Sequence, residues 1–472
     1  MISLPLIWIA FPLITGVLLI PFAKNRRLSV SVVSIISLLL TILAIVLPKE
    51  MAFVIFGHRY EFNPVFFLLG RMLSINHNAA VIIALLYLVN FSWNLISTRF
   101  KVSQYFGSLS LITTALWVTV LAIEPFLYAA VIVAIITLIS IPLLSPRGEA
   151  NRPGLFRYLI LQLLATSLIL LSGWMLAGIV SAPSASPLIF RATVMVLLGF
   201  ILWLGVFPLN SWLSMLSDES HHWVVGMLLS MRQIALIIYF LHFLDRFAWL
   251  RNLPNIFKDM QLIGLVIIAF GGIAAASQKS IRRLFGFFFL IETGYTLLSI
   301  GLAAHGGLNQ VAMSFIPRLI SYWLWAFTVA SLSDQGNLKL GYLNELSGLF
   351  YRAPFLASGL FFSLLNLLGV PLFAFFPVRR LVWAGVAGSQ TSWLIFLVIG
   401  IASMIVHALN LLRIFIQPES ETRPATPEAP SQKFFIGLGI LLLIVVGIFP
   451  HFFLPYWTGI LAPFTNLFNA FP

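Results

Sequence analysis

The sequence predicts an all-α polytopic membrane protein of about fourteen transmembrane helices, and three observations carry that prediction. Of its 472 residues 60% are hydrophobic and 9% charged, and the mean hydropathy is +1.03. That leaves too little polar surface to clothe a soluble chain of this length. Apolar windows of about 20 residues, the length that crosses a bilayer, recur from one end of the chain to the other. Two of the windows are interrupted by Gly and Pro, which no continuous helix accommodates.

Taken in order, the windows lie near 4–23, 28–47, 75–97, 105–122, 125–144, 155–180, 191–209, 222–244, 260–277, 282–304, 308–332, 355–387, 391–415 and 434–454. Only Ile123-Glu124-Pro125 separates the fourth from the fifth. The first window is followed by KNRR and carries no small-residue cleavage site, so it is expected to stay in place as a helix rather than be removed as a signal. The sizeable polar insert is Gln417–Gln432, a Pro- and Glu-rich linker that cannot bury a core of its own. The tail Tyr456–Pro472, with Trp457, Phe464, Leu467 and Phe468, is too short to span and is expected at the outer interface.

With no cysteine, thiolate-held iron–sulfur clusters, disulfides and cysteine nucleophiles are excluded. No cofactor of its own is expected, and any redox centre must sit in a partner. The net charge of +13 does not signal nucleic acid, because the 27 Lys and Arg are scattered singly or in pairs between apolar runs. They read instead as topology signals. Loops after odd-numbered helices hold 16 of them and loops after even-numbered helices 7, or 9 with Arg379 and Arg380. That excess places odd loops in the cytoplasm and both termini outside.

The interruptions come next. In Leu364–Trp383, LLNLLGVPLFAFFPVRRLVW, residues Gly369, Pro371 and Pro377 break an apolar helix just ahead of Arg379 and Arg380. A similar break falls at Gly205–Pro208 in LWLGVFPLNSW. Broken backbone at membrane depth is tolerated where protein or a water-filled cavity satisfies the freed groups, and paired breaks in the two halves of a chain point to a transport site.

Ionisable groups inside spans cost at least about 2.5 kcal/mol and need compensation. Arg232, Glu292, Arg318 and Arg379 with Arg380 qualify, and Glu292 is the one carboxylate well inside an expected span. Its natural partner is an arginine of a neighbouring helix, Arg318 ahead of Arg232. Such a pair serves either as a helix–helix tie or as a transport element, and the sequence leaves both open. Arg379 combines a charge with a broken helix and reads as functional. Arg380 reads as snorkelling, and His407 as a packing histidine rather than a proton relay. His221 and His222, after Asp218 and Glu219, suggest metal ligands only superficially, since adjacent histidines point to different sides of a helix. They read as a loop at a membrane boundary.

These stretches resemble the proton-conducting antiporter-like subunits of respiratory complex I, a family shared with multisubunit sodium/proton antiporters and membrane-bound hydrogenases. VFPLNSW at 206–212 resembles the family's segment after its broken seventh helix. SQKSIRRLFGFFFLIETGY at 277–295 resembles its basic pair entering a helix that ends in Gly-Tyr, and LLGVPLFAFFPVRR resembles its broken twelfth helix. The resemblance implies two inverted five-helix repeats near 105–244 and 260–415, each with one broken helix. The domains expected are 1–98, 99–250, 255–416, the linker 417–432, and 433–472. It further implies other membrane subunits as partners and, through them, redox proteins, in an energy-transducing membrane that is expected to be bacterial and cytoplasmic.

The sequence departs from that pattern where the family's chemistry is densest. Trp203 stands at the seventh-helix lysine, Asn210 at the histidine after it, and Val133 near the fifth-helix glutamate, with Glu124 outside the channel. Arg232 or Gln233 stands at the eighth-helix lysine and Arg379 at the twelfth-helix one, and no lysine lies inside an expected span. Arginine shapes a field but is a poor proton relay. Three readings follow: a pumping subunit with a rewired path, a membrane scaffold or coupling subunit of a redox or ion-transport assembly, and a stand-alone transporter or membrane transferase. For a transferase, only Asp218, Glu219, His221 and His222 offer paired acid and base groups.

Overall fold

The computed structural model describes residues 2–46, 52–55, 58–68, 70–75, 79–145, 152–181, 186–336, 341–389, 391–417 and 428–469. Its main helices are α1 (Leu6–Leu18), α2 (Arg26–Val46), α3 (Ala80–Ser97), α4 (Phe106–Ala122), α5 (Ala129–Leu144), α6 (Pro153–Ser181) and α7 (Ser186–Leu204). They continue with α8 (Ser211–Glu219), α9 (His222–Arg246), α10 (Ile256–Ala276), α11 (Ile281–Gly301), α12 (Gly307–Asp334) and α13 (Pro354–Leu368). The last are α14 (Phe376–Ser389), α15 (Leu394–Ile416), α16 (Pro430–Ile448), α17 (Pro450–Thr458) and α18 (Thr465–Asn469). Among the described residues eleven helices are long and apolar enough to cross a membrane, and α1, α4 and α13 are shorter apolar helices. The chain is an integral membrane protein.

Contacts divide the chain into two compact units. One comprises Met1–Leu204, Met227–Arg251 and Ala462–Thr465, and in it α2 packs on α3, α4 on α5, and α6 on α7. The other comprises Gly205–Gly226, Asn252–Leu461 and Asn466–Pro472. In this second unit α10 packs on α11 and α15, α8 lies against α11, and α12 packs on α13 and α14. The spanning windows of α9 and α11 are 100% buried, whereas that of α16 is 22% buried. Residues on α11 therefore face protein on every side, and α16 is the least enclosed of these eleven helices.

Both expected interruptions are present. Helix α7 stops at Leu204 and α13 at Leu368, and each is followed by a glycine in the left-handed region, Gly205 at φ +64° and Gly369 at φ +77°. Glycine adopts that conformation without the steric cost a Cβ would bring. Pro377 plays a different part from the one expected. It is the second residue of α14, where its missing N–H would have no helical partner anyway, so it starts the second half-helix rather than breaking the first. The helix α8 beyond the first break was not expected, nor were two short β-hairpins. Ala52–Ile55 pairs with His58–Asn63 and Val65–Leu68 with Arg71–Ser74, within a connection whose apolar runs are cut by His58, Arg59, Glu61 and Arg71.

Three further readings change. Lys258 and Lys433 fall in the first turns of α10 and α16, both exposed, so the absence of lysine holds for span interiors only. Asp218 and Glu219 close α8 and His222 opens α9, leaving only Ser220 and His221 as connection. In the tail, Phe464 and Leu467 are buried in protein while Tyr456 and Phe468 stay exposed, so only part of it is free to lie on headgroups. Residues 418–427 of the expected linker lie outside the described residues.

Candidate functional site: a carboxylate between two arginines

Helix α11 places Glu292 at its middle, 1% exposed. Two arginines from elsewhere in the second unit reach it. Arg318 of α12 donates from Nε to Glu292 Oε2 at 3.3 Å, and Arg379 of α14 donates from Nη2 to Glu292 Oε1. Both arginines are 1% exposed. A buried carboxylate therefore faces two guanidinium groups, with one positive charge in excess. At such depth the arrangement holds only because further dipoles and rings share the load.

Those partners are specific. Arg318 Nη2 also donates to Thr296 Oγ1 at 2.8 Å and to Ser314 Oγ at 3.0 Å. Arg379 lies over the Tyr295 ring at 3.3 Å and the Phe375 ring at 4.4 Å, which gives its planar cation two aromatic faces. Its Nη2 also approaches the Leu367 carbonyl at 3.4 Å, one residue from the end of α13. A cation there meets the negative end of the helix dipole and one of the carbonyls the break leaves without an intrahelical donor.

Local sequence explains why the arginines point inward. Pro317 precedes Arg318 and lacks the N–H that would bond one turn back within the continuous helix α12. Arg379 is in the first turn of α14, and its own N–H bonds the Phe375 carbonyl at 2.9 Å. Asn366 of α13 joins the two regions. Its Nδ2 donates to Ser321 Oγ at 2.5 Å and to the Pro317 carbonyl at 3.3 Å, while its Oδ1 accepts from the Phe375 N–H at 2.9 Å.

Arg232 belongs to the first unit. Buried at 2% exposure, it donates to Gln162 Oε1 and to the Trp203 carbonyl, at 3.4 Å from Nε and 3.3 Å from Nη2, and faces the Tyr158 ring at 5.6 Å. Trp203 Nε1 in turn donates to the Gln162 carbonyl at 3.3 Å. Arg380 is exposed beside buried Arg379. His407 of α15 is 1% exposed, and its Nε2 finds no partner among the described residues.

The acidic and histidine residues at 218–222 form pairs, not a metal cluster. Asp218 accepts from Arg283 Nε at 2.8 Å and from Ser280 Oγ at 3.1 Å, His221 Nε2 lies 3.5 Å from Asp334, and His222 Nε2 lies 3.3 Å from the Arg282 carbonyl. No group of three possible metal ligands exists among the described residues. Val133 is fully buried and Asn210 is 7% exposed. Glu124 sits in a two-residue strand paired with Arg71–Ser74.

Sequence reasoning missed Tyr295, Thr296, Ser314 and Asn366 as parts of the centre, and Gln162 as the Arg232 partner. Asn366 alone had a visible signal, as the one polar residue in the run LLNLLG before a break.

Comparison with known proteins follows the same lines. A family described as NADH:quinone oxidoreductase/Mrp antiporter, TM, matches residues 156–405, more than half of the chain. NADH-quinone oxidoreductase subunit N of Methylococcus capsulatus is 25% identical over 340 residues, covering 67% of this chain and 68% of that protein. Subunit N 2 of Syntrophobacter fumaroxidans is 24% identical over 283 residues, 58% of this chain and 57% of the relative, so the chain spans under two thirds of that protein's length.

Among solved structures, a chain of the archaeal membrane-bound sulfane sulfur reductase superposes with a TM-score of 0.80 at 17% identity, covering 99% of this chain and 98% of that one. A chain of the Mrp complex from Dietzia sp. gives 0.80 at 16% identity, with 99% of both chains covered. One of respiratory complex I from Thermus thermophilus gives 0.71 at 19% identity, covering 96% and 99%. These likenesses establish the fold, and each matched chain sits within a multisubunit membrane complex.

Proposed function

This chain belongs to the NADH:quinone oxidoreductase/Mrp antiporter family of membrane proteins, and from that membership we propose that it is an antiporter-like subunit of a multisubunit, redox-linked ion-translocating assembly, acting there as a membrane scaffold and coupling element. The observation that carries the proposal is the pairing of Glu292 with both Arg318 and Arg379. A guanidinium keeps its proton, so this centre is a fixed charge array able to feel and shape a field, not a chain of groups that hand protons on. In this reading the chain supplies no redox centre. Its partners are other membrane subunits and, through them, redox proteins of an energy-transducing, bacterial cytoplasmic membrane.

The finer architecture belongs to the same proposal. All fourteen apolar helices cross the bilayer, with both termini outside and two inverted five-helix repeats near 105–244 and 260–415. Two parallel features support the repeats. Each interrupted helix, α7 and α13, ends in a positive-φ glycine, and each has a buried arginine on the carbonyl one residue before its end, Arg232 on Trp203 and Arg379 on Leu367.

A second reading, a pumping subunit with a rewired path for protons or sodium, is favoured by the continuity of polar groups from Ser314 and Thr296 through Arg318 and Glu292 to Arg379. One experiment separates the two. The assembly that co-purifies in mild detergent is reconstituted into proteoliposomes, and ion uptake and electron transfer are measured for the parent, Arg379→Ala and Glu292→Gln. Electron transfer and ion uptake kept in both variants support a scaffold role, with ions passing through other subunits. Uptake lost in both with electron transfer intact overturns the scaffold role and favours the pump.

A further inference from the structure

The two arginines of the Glu292 centre sit on helical turns that lack part of the backbone ladder, Arg318 just after Pro317 within α12 and Arg379 in the first turn of α14, and such turns need a fixed reference if two side chains are to meet one carboxylate. Asn366 supplies contacts on both sides. It is fully buried on α13, three residues before the positive-φ Gly369. Through Nδ2 it grips α12 on both flanks of Arg318, at the Pro317 carbonyl one residue before and the Ser321 hydroxyl three residues after. Through Oδ1 it holds the N–H of Phe375.

Phe375 immediately precedes α14, its carbonyl takes the Arg379 N–H, and its ring lies under the Arg379 guanidinium. The amide has two donor hydrogens and an acceptor oxygen, and every one of these functions is engaged with one or the other arginine-bearing turn. A hydroxyl in its place would be too short to bridge both turns, and an aliphatic residue would leave the Phe375 N–H buried without an acceptor.

We infer that Asn366 is a positioning residue that locks the Arg318-bearing turn of α12 and the Arg379-bearing turn of α14 into one register against Glu292. The two turns therefore shift together, and a displacement of the break segment 369–375 is passed to Arg318 as well as to Arg379. This rests on reading the Glu292 centre as the functional site, but it concerns geometry and is measured separately from ion flux.

The chain's lack of cysteine makes the measurement direct. Nitroxide labels are placed on Asn309→Cys in α12 and Leu381→Cys in α14, both exposed positions, in the full chain purified in detergent, and interspin distances are recorded. The parent gives a single narrow distribution. In Asn366→Leu, which keeps the branched four-heavy-atom outline but has no donors or acceptor, the distribution broadens and shifts, and Ser321→Ala, which adds no bulk, produces a smaller change in the same direction. A folded Asn366→Leu with the parent's distribution overturns the inference. Should that variant fail to fold, Ser321→Ala decides, and an unchanged distribution there overturns it as well. Ion uptake by the same variants in the assembly tests the functional reading, so either can fail alone.

Discussion

The ends of α7 and α13 solve one problem with two kinds of surroundings. Each helix stops inside the apolar part of the chain, turns on a left-handed glycine, and offers its penultimate carbonyl to a buried arginine. At Trp203 the arginine is Arg232, and its bonds to the Gln162 amide oxygen and to the Trp203 carbonyl go to neutral acceptors. At Leu367 the arginine is Arg379, which adds an ion pair to Glu292 and two aromatic faces. The difference teaches that a helix end needs only a donor, whereas a carboxylate among arginines adds a cluster of buried charge. The first arrangement is a cap, and the second is a cap made into a charge centre.

The largest effect should come from removing the shared carboxylate. Glu292→Leu leaves two buried guanidiniums facing each other, and uncompensated buried charge of this kind costs about 3–5 kcal/mol. Thermal unfolding of the detergent-solubilised chain, followed through its 13 tryptophans, should show this as the steepest loss of the series. Next comes Gly369→Ala, at about 2–4 kcal/mol. The left-handed backbone alone accounts for about 1–2 kcal/mol, and the new Cβ would lie 2.6 Å from Arg379 Cγ and push that side chain off Glu292.

Gly205→Ala sharpens the comparison, because it carries the same backbone penalty, about 1–2 kcal/mol, but its Cβ meets apolar side chains rather than an arginine, Leu213 Cδ1 at 2.6 Å and the Trp212 ring at 3.3 Å. Equal losses at the two glycines would mean that the arginine environments do not distinguish the sites. Arg232→Met should cost about 1–2 kcal/mol, since it frees neutral acceptors rather than a carboxylate. A loss as large as that of Glu292→Leu would break the comparison outright. Arg380→Gln, exposed beside the centre, should stay within about 0.5 kcal/mol in the same assay.

The legible part of this protein was local. Length and hydropathy located the eleven helices long enough to cross a membrane, whereas three of the fourteen expected spans are shorter apolar helices among the described residues. Gly205 and Gly369 announced the two breaks because glycine tolerates what other residues resist. Pro377 misled, because proline is excluded from a helix interior yet suited to its first turn, and only the position of the new helix start tells these apart.

By itself, then, the sequence determined that the chain lives in a membrane, where its helices are interrupted, and that one carboxylate lies deep in a span with arginines elsewhere. Only the tertiary structure decided that Glu292 takes both Arg318, 26 residues away, and Arg379, 87 residues away, and that Asn366 spans the two turns presenting them. The physical reason is range. Hydrophobic runs and backbone conformation are properties of neighbouring residues, while a buried ion pair depends on which helix faces come together, and no spacing along the chain encodes that.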